Sequence, residues 1–375
     1  MADIGLSVPL PTRRAGWLNR LVASPGFQTW AARFPLTRRI VRREGEALFD
    51  LVAGFCHAQV LLALVELRVP ELLMDGDLPL AALAGRIAVP PDRAAVLVKA
   101  GVALGLLRLR RGQVGLTRRG ATLTGVPGLA GMIRHHRVLY RDLENPVAFF
   151  RGEVETELAG FWPYVLGAGA AADPQAAATY SALMADSQAL VAQDTLDAVS
   201  LRGVRRLMDV GGGTGAFLAA AGARWPGLAM TLFDLPAVAP AARARFDAAG
   251  LSIPPDIVPG SFRDDPLPTG ADAISLVRVL YDHADPTVAA LLRAVHLALP
   301  PGGRLIVSEP MTGGEHPEKA GDAYFALYCM AMRTGRARSA AEITAHLRAA
   351  GFSQIRAPRP RRPFVTSVLE AVKFA

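Results

Sequence analysis

The chain has 375 residues, 51% of them hydrophobic, and a net charge of +8, so it is long enough for two domains with a sizeable core. Only Cys56 and Cys329 are present, far apart and outside any C-x-x-C pair, which excludes a disulfide framework and a cysteine-based zinc site and fits a reducing compartment. No basic region followed by an apolar run and a cleavage site opens the chain, so no secretory signal is read there, and a cytoplasmic location is expected.

The charge is uneven. Residues 1–120 hold 17 Lys/Arg against 9 Asp/Glu, whereas the remainder holds 24 of each. Residues 1–44 form a basic leader arm in which Arg13, Arg14, Arg20, Arg33, Arg38, Arg39, Arg42 and Arg43 interleave with Trp17, Leu18, Leu21, Val22, Phe27 and Trp30. Such a segment is either a solvated arm or an amphipathic surface-seeker that would meet an inner or photosynthetic membrane peripherally. The following uncharged run, Leu51–Val65, contains His57 and Gln59 and is too short and too polar for a membrane span.

Residues 45–75 read as helix from the three- and four-residue steps of Leu48, Leu51, Val52, Phe55, Gln59, Leu62 and Leu73. A short helix (Leu80–Ile87), a Pro90-Pro91-Asp92 start signal, a second helix (Arg93–Gly105) and a hairpin turning at Arg111-Gly112 then make a winged-helix pattern over a domain placed at 45–125. That pattern raises DNA binding as a rival function. The second helix offers only Arg93 and Lys99 among Ala94, Val96, Leu97, Val98, Val102 and Leu104, and a DNA-reading helix needs a polar face, so a dimerisation or lid role is expected and no nucleic acid.

Residues 126–200 read as a helical linker and pocket region. His135, His136, Tyr140, Asn145, Phe149, Phe150, Phe161, Trp162, Tyr164, Tyr180 and Met184 are candidate lining, with core packing as the alternative. Adjacent side chains on a helix point about 100° apart, so His135-His136 is a poor chelate and no metal is expected.

From residue 201 onward strands and helices alternate. Strands are predicted at Leu207–Val210, Met230–Asp234, Asp256–Val258, Ala273–Val279, Arg304–Ser308, Gln354–Ala357 and Phe364–Ala371. The last two have no room for an intervening helix and are predicted to be antiparallel, giving an α/β, mostly parallel sheet with one reversed strand near its end. The first of these strands opens into Asp209-Val210-Gly211-Gly212-Gly213-Thr214-Gly215, and Asp234 ends the next, 23 positions after Gly211. Glycines let backbone approach a ligand and a following carboxylate holds ribose hydroxyls. G-x-G-x-G spacing and the reversed strand favour S-adenosylmethionine; a dinucleotide prefers G-x-G-x-x-G but accepts Ala216 at the last position, so an NAD-type oxidoreductase stays open beside a nucleotide-sensing winged-helix regulator.

The motifs LMDVGGGTG (207–215), Phe233-Asp234-Leu235-Pro236, Gly260-Ser261-Phe262, Arg278 to His283, Pro301-Gly302-Gly303, Glu309-Pro310 and Gly335-Arg336 resemble the small-molecule O-methyltransferases of the caffeic acid and acetylserotonin type. The resemblance spans about residues 45–375 and implies a Class I methyltransferase Rossmann-like domain, an N-terminal winged-helix-like domain that pairs two subunits, and S-adenosylmethionine as cofactor. It places Asp209, Gly211, Gly213, Asp234, Leu235, Ser261, Phe262 and Arg278 at the cofactor. Segments at 23–38, 47–55, 278–283 and 321–325 are similar to the bacterial carotenoid branch, which implies methylation of the C1 tertiary hydroxyl of an acyclic carotenoid. A phenol, quinone or polyketide is the alternative acceptor.

The base departs from the family pattern. Phenol methylators carry His-Asp where this chain has Tyr281-Asp282, and a supporting glutamate near Ala337. A phenol of pKa about 10 is a poor neutral-pH base beside an imidazole of about 6.5. Three readings follow: Tyr281 orients the hydroxyl, His283 takes over as base with Tyr281 and Asp282 organising it, or no strong base is used. His283 is the preferred base, with Glu309 orienting it or the substrate.

Overall fold

The computed structural model describes residues 13–161 and 187–374, so Trp162, Tyr164, Tyr180 and Met184 lie outside the described residues. Two compact units result, one up to Gly120 and one from Ala121 onward.

In the first unit, helices Arg13–Ala23 and Pro25–Arg33 precede a 29-residue helix, Arg38–Glu66. Ser24 caps the second of these by accepting from the Phe27 amide, with Pro25 at its first position. The long helix starts earlier and ends sooner than the periodicity predicts: Arg68 turns left-handed (φ 54°) and Pro70 belongs to a separate turn, Val69–Leu72. By length and composition this helix can cross a membrane, contrary to the reading of its apolar run, and only 17% of its most apolar stretch is buried. Leu48, Phe49, Leu51, Val52 and Phe55 are 63–74% exposed on this unit.

The helix–turn–helix–wing follows as predicted, with helices Leu80–Arg86 and Pro91–Ala103. The wing gains a third strand. Leu78–Pro79 (β1) pairs antiparallel with Gln113–Leu116 (β3), which pairs with Leu107–Arg110 (β2). Arg111 and Gly112, both at positive φ (49° and 75°), form the two-residue hairpin turn. Leu62, Leu64, Val65, Leu83, Ala94, Val98, Leu107 and Val114 make the core, and Gly101 sits against Leu107 where a Cβ would meet Cδ1 at 2.8 Å.

The second unit is built on a seven-stranded sheet: Arg206–Val210 (β4), Ala229–Asp234 (β5), Asp256–Pro259 (β6), Ala273–Val277 (β7), Arg304–Glu309 (β8), Phe352–Arg356 (β9) and Ser367–Lys373 (β10), in the order β6-β5-β4-β7-β8-β10-β9. Only β10 runs against the rest, inserted between β8 and β9. Alternate residues face two apolar layers, as in β8, where Leu305 and Val307 meet helix Asp285–Ala298 and Ile306 meets Phe217 and Leu218. A parallel sheet covered on both faces requires such unbroken apolar strands. Glu370 on β10, 3% exposed, accepts from Arg304 of β8 and Arg356 of β9 and so ties three strands together. The order reverses direction at the β4/β7 boundary, and ligands bind at such switch points, beyond the carboxyl ends of the strands.

Strand β7 stops at Val277 rather than at the predicted Val279. Arg278 adopts φ 57°, a conformation costly for a side-chain-bearing residue, and turns the chain out of the sheet.

Candidate active site

Beyond β4, Gly211 (φ 70°), Gly213 (φ 57°) and Gly215 (φ 77°) wind the loop into left-handed turns that only glycine adopts without strain. Their missing side chains serve different ends. A Cβ on Gly215 would overlap the Phe246 ring, so that glycine lets helix Ala216–Arg224 pack down, whereas a Cβ on Gly213 would meet nothing within 4 Å and the backbone there faces open space. Asp234 holds the loop from β5: one carboxylate oxygen accepts from the Gly213 amide and the other from Leu235, both at 2.7 Å. Each oxygen keeps lone-pair capacity for a ribose hydroxyl. Burial pushes the Asp234 pKa up, against the pull of those two amides.

Asp209 lies fully buried beneath Gly212. Ser275 donates to its Oδ1 at 2.6 Å, its Oδ2 has no partner among the described residues, and burial pushes it up to about 7. A glycine loop open on one face, a carboxylate with spare acceptor capacity and an unpaired buried carboxylate oxygen fit a nucleoside-bearing, cationic ligand in the manner of S-adenosylmethionine.

Val279 and Phe262 close in on Gly211 from the sides, and the His283 ring meets Phe262 edge-on at 5.2 Å between centroids. Ser261 carries Phe262 on a turn closed by Asp264 and Asp265, donating its hydroxyl to Asp264 Oδ2 (2.9 Å) and its amide to Asp265 Oδ2 (2.8 Å). The Arg263 guanidinium lies 3.1 Å from His283 Nδ1, so the neutral ring accepts from it; burial and then the Arg263 charge lower His283 to about 4. His283 therefore stands with the glycine-loop residues.

The turn from Arg278 to His283 is gripped from three directions. Glu309, at the end of β8 and 1% exposed, accepts from the amides of Val279 (2.9 Å), Leu280 (2.7 Å) and Tyr281 (3.3 Å). Burial raises it to about 7 despite those donors and Arg338. Among the described residues its hydrogen bonds go to these backbone amides and none to His283, so it holds the turn and does not orient the imidazole directly, unlike the role expected from sequence. Arg338, fully buried, donates to the Leu280 carbonyl (2.8 Å), the His283 carbonyl (2.7 Å) and Asp285 (2.8 Å). At Gly335 a Cβ would overlap the carbonyl of Tyr281 and the backbone of Asp282. Gly335→Ala is accordingly expected to displace the turn and lower turnover at least tenfold while the protein still folds, overpacking costing about 1–3 kcal/mol; unfolding curves paired with initial rates check this, and an unchanged rate would refute it.

Tyr281 is buried among Val138, Leu139, Phe149, Leu158, Tyr328, Met332 and Ala337, so Ala337 packs as one of the apolar neighbours of the phenol. Burial, reinforced by the Asp282 charge, holds that phenol well above 10, and burial with Glu309 holds Asp282 well above the carboxylate range. Arg278 opposes both shifts, so its guanidinium faces this pair; Nη1 donates to Ser187 (3.1 Å) and Nε has no partner among the described residues. Helix Leu129–Asp142 brings His136 Nε2 to 2.7 Å from the Tyr324 hydroxyl and His135 Nε2 to 2.9 Å from the Tyr328 hydroxyl. Among the described residues no group of His, Cys, Asp and Glu could hold a metal ion.

Sequence reasoning missed Arg338 and the pairing of the histidines with tyrosines. Nothing distinguishes Arg338 from its neighbours Arg333 and Arg336 before the chain is folded, whereas His135, His136, Tyr324 and Tyr328 stand out only as polar groups in apolar helices.

A glycine loop tethered by an acid, at the switch point of a sheet with one reversed strand, defines the Class I methyltransferase architecture. The chain belongs to the O-methyltransferase family: residues 140–353 match its O-methyltransferase domain and residues 49–125 its O-methyltransferase dimerisation domain. It is 58% identical to demethylspheroidene O-methyltransferase of Cereibacter sphaeroides over 355 residues, 94% of each chain. It is 54% identical to the protein of that name in Rhodobacter capsulatus, over 97% of this chain and 91% of the other. Human N-acetylserotonin methyltransferase, solved in complex with S-adenosylmethionine, superposes with a TM-score of 0.75 at 25% identity, covering 88% of this chain and 98% of that one.

Proposed function

We propose that this O-methyltransferase moves the methyl group of S-adenosylmethionine to the C1 tertiary hydroxyl of an acyclic carotenoid. The observation that carries the reading is the buried Tyr281, a phenol held above its usual pKa where phenol methylators present an imidazole. A phenol substrate rewards a base that ionises it before attack. An aliphatic alcohol is too weakly acidic for that, and gives up its proton only as the new bond forms. The names of the two relatives that match almost the whole chain point the same way.

Bound S-adenosylmethionine supplies an electrophilic methyl on a sulfonium. Asp234 would accept from its ribose hydroxyls, the Gly211–Gly213 backbone would lie against it, and Ser261, Phe262 and His283 would hold its base. Glu309, Arg338 and Gly335 fix the turn that presents Arg278, Tyr281 and Asp282, so acceleration comes chiefly from holding the hydroxyl in line. Incubation with labelled cofactor and a 1-hydroxycarotenoid in detergent should give labelled ether; transfer to a catechol alone overturns the assignment.

His283 serves the nucleotide side in this reading and not as the base. His283→Ala should raise the KM for the cofactor several-fold and leave kcat within about threefold, because uniform binding is lost without loss of transition-state stabilisation. A collapse of kcat at unchanged KM would restore it as base.

The chain acts as a homodimer, its exposed apolar helix 38–66 overlapping the dimerisation domain. The arm before it and the helix's first turn meet an anionic bilayer peripherally from the cytoplasm, through Arg20, Arg33, Arg38 and Arg39 beside exposed Trp17 and Trp30. The dimer should float with anionic vesicles at low salt and detach at high salt. Equal recovery with zwitterionic vesicles, or none with anionic ones, would remove the membrane from this account.

A further inference from the structure

Methylation of an alcohol releases a proton, and in the turn at 278–283 the Asp282 carboxyl is buried and held well above the carboxylate range by that burial and by Glu309. The Tyr281 phenol is buried, and His283 Nδ1 already accepts from Arg263 on the far side of Phe262. Two of the other histidines in the same unit, His135 and His136, are paired with tyrosines. Helix Leu129–Asp142 presents His135 and His136 to Tyr328 and Tyr324, which sit four residues apart in the segment where a π-helix, Lys319–Phe325, passes into helix Ala326–Met332. Both His–Tyr pairs are hydrogen-bonded, but their surroundings differ. Tyr328 is buried with Tyr281, Phe149 and Met332, whereas Tyr324 is only partly buried, as are both histidines.

We propose that Tyr324 accepts the hydrogen bond of the acceptor hydroxyl and that His136 receives the proton through it. This rests on the chain being an alcohol methylator. At 2.7 Å, with His136 in the tautomer protonated at Nδ1, the Tyr324 hydroxyl donates to His136 Nε2 and keeps its oxygen lone pairs for the substrate. The Tyr324 ring lies 6.2 Å from that of Tyr328, which packs in the same cluster as Tyr281, so Tyr324 borders the turn whose Tyr281 stands where phenol methylators carry their base. Burial takes the Tyr324 phenol up to about 12 and moves His136 below 6.5, so the pair stands as neutral phenol and neutral imidazole, the state in which it conducts a proton without holding one.

As the acceptor oxygen bonds to the methyl carbon and the carbon–sulfur bond of the donor breaks, that oxygen becomes strongly acidic. Its proton passes to Tyr324 Oη, the proton of Tyr324 passes to His136 Nε2, and the imidazolium releases a proton to solvent. One ether, one thioether and one solvated proton result. His136 acts through Tyr324 and is a positioning and relay residue; Tyr324 is the catalytic one.

The test uses the full chain with labelled cofactor and 1-hydroxycarotenoid. His136→Gln and Tyr324→Phe should each lower kcat about 100-fold, the usual worth of a placed proton acceptor, with KM for the acceptor changed less than about threefold. The double variant should be no slower than either single one, since both cut one relay. Imidazole should partly restore His136→Ala, and His135→Gln should stay near wild type. In protein carrying labelled histidine, Tyr324→Phe should shift the His136 Nε2 resonance, a readout independent of turnover. An unmoved resonance, or a His136→Gln variant with wild-type kcat, would overturn the relay. Wild-type transfer to catechol alone would overturn the alcohol reading and the relay with it.

Discussion

Glu309→Ala is expected to cost about 3–5 kcal/mol of stability and to abolish measurable methyl transfer. The carboxylate satisfies three buried amides, and each unsatisfied buried donor costs about 1–3 kcal/mol, partly recovered as the turn relaxes. Arg338, gripping the same turn from its carbonyl side, would lose the nearby carboxylate charge as well. Glu309→Gln is the informative companion. Its amide oxygen can still accept from Val279 and Leu280, but its NH2 would confront the Tyr281 amide, so an intermediate loss is expected. Denaturant unfolding with initial rates measures both effects, and an alanine variant as stable and as fast as wild type would show that the turn is held by something else.

Asp234→Ala should weaken S-adenosylmethionine binding at least 100-fold, about 2.7 kcal/mol or more, while the sheet stays folded. Two losses combine: the ribose acceptor, and the anchor that keeps the Gly213 amide in place. A pH dependence follows with a definite sign. Because burial raises the folded pKa of Asp234, the anion that binds hydroxyls is lost at a higher pH than for an ordinary carboxylate, and affinity falls as pH is lowered through that raised value. Calorimetry across pH checks both points. A flat profile with full affinity in Asp234→Ala would place the ribose elsewhere.

Much of this architecture is legible in the residues. The glycine run and Asp234 reveal the cofactor loop because left-handed turns and a ribose acceptor demand those residue types at that spacing. The short span between Gln354 and Phe364 reveals the reversed strand because no crossover helix fits within it. What escapes the sequence is set by tertiary partners. Arg278 reads as the continuation of an apolar strand until its backbone is seen to turn at φ 57°. Glu309 reads as a side chain for substrate or histidine until three amides are found on it. His283 stands two residues from Tyr281, and that nearness suggests a shared task, yet the turn sends the two side chains into different company, Phe262 for one and Phe149 with Met332 for the other. Strand β1 is too short, at two residues, for any periodicity to register.

The reversed strand also sets a timetable for synthesis. β8 leaves the ribosome some 60 residues before β10, and until Ser367–Lys373 arrives its outer edge, with Leu305, Ile306 and Val307 at its centre, is an unpaired template. β9 emerges in between but has no seat of its own, since it joins the sheet only through β10. The cofactor loop and its acid can thus assemble early, while the turn carrying Tyr281 waits for Gly335 and Arg338 and the sheet waits for its last strand. A nascent chain stalled after β9 should bind chaperones or aggregate, and release of the segment through Lys373 should end that exposure in one step.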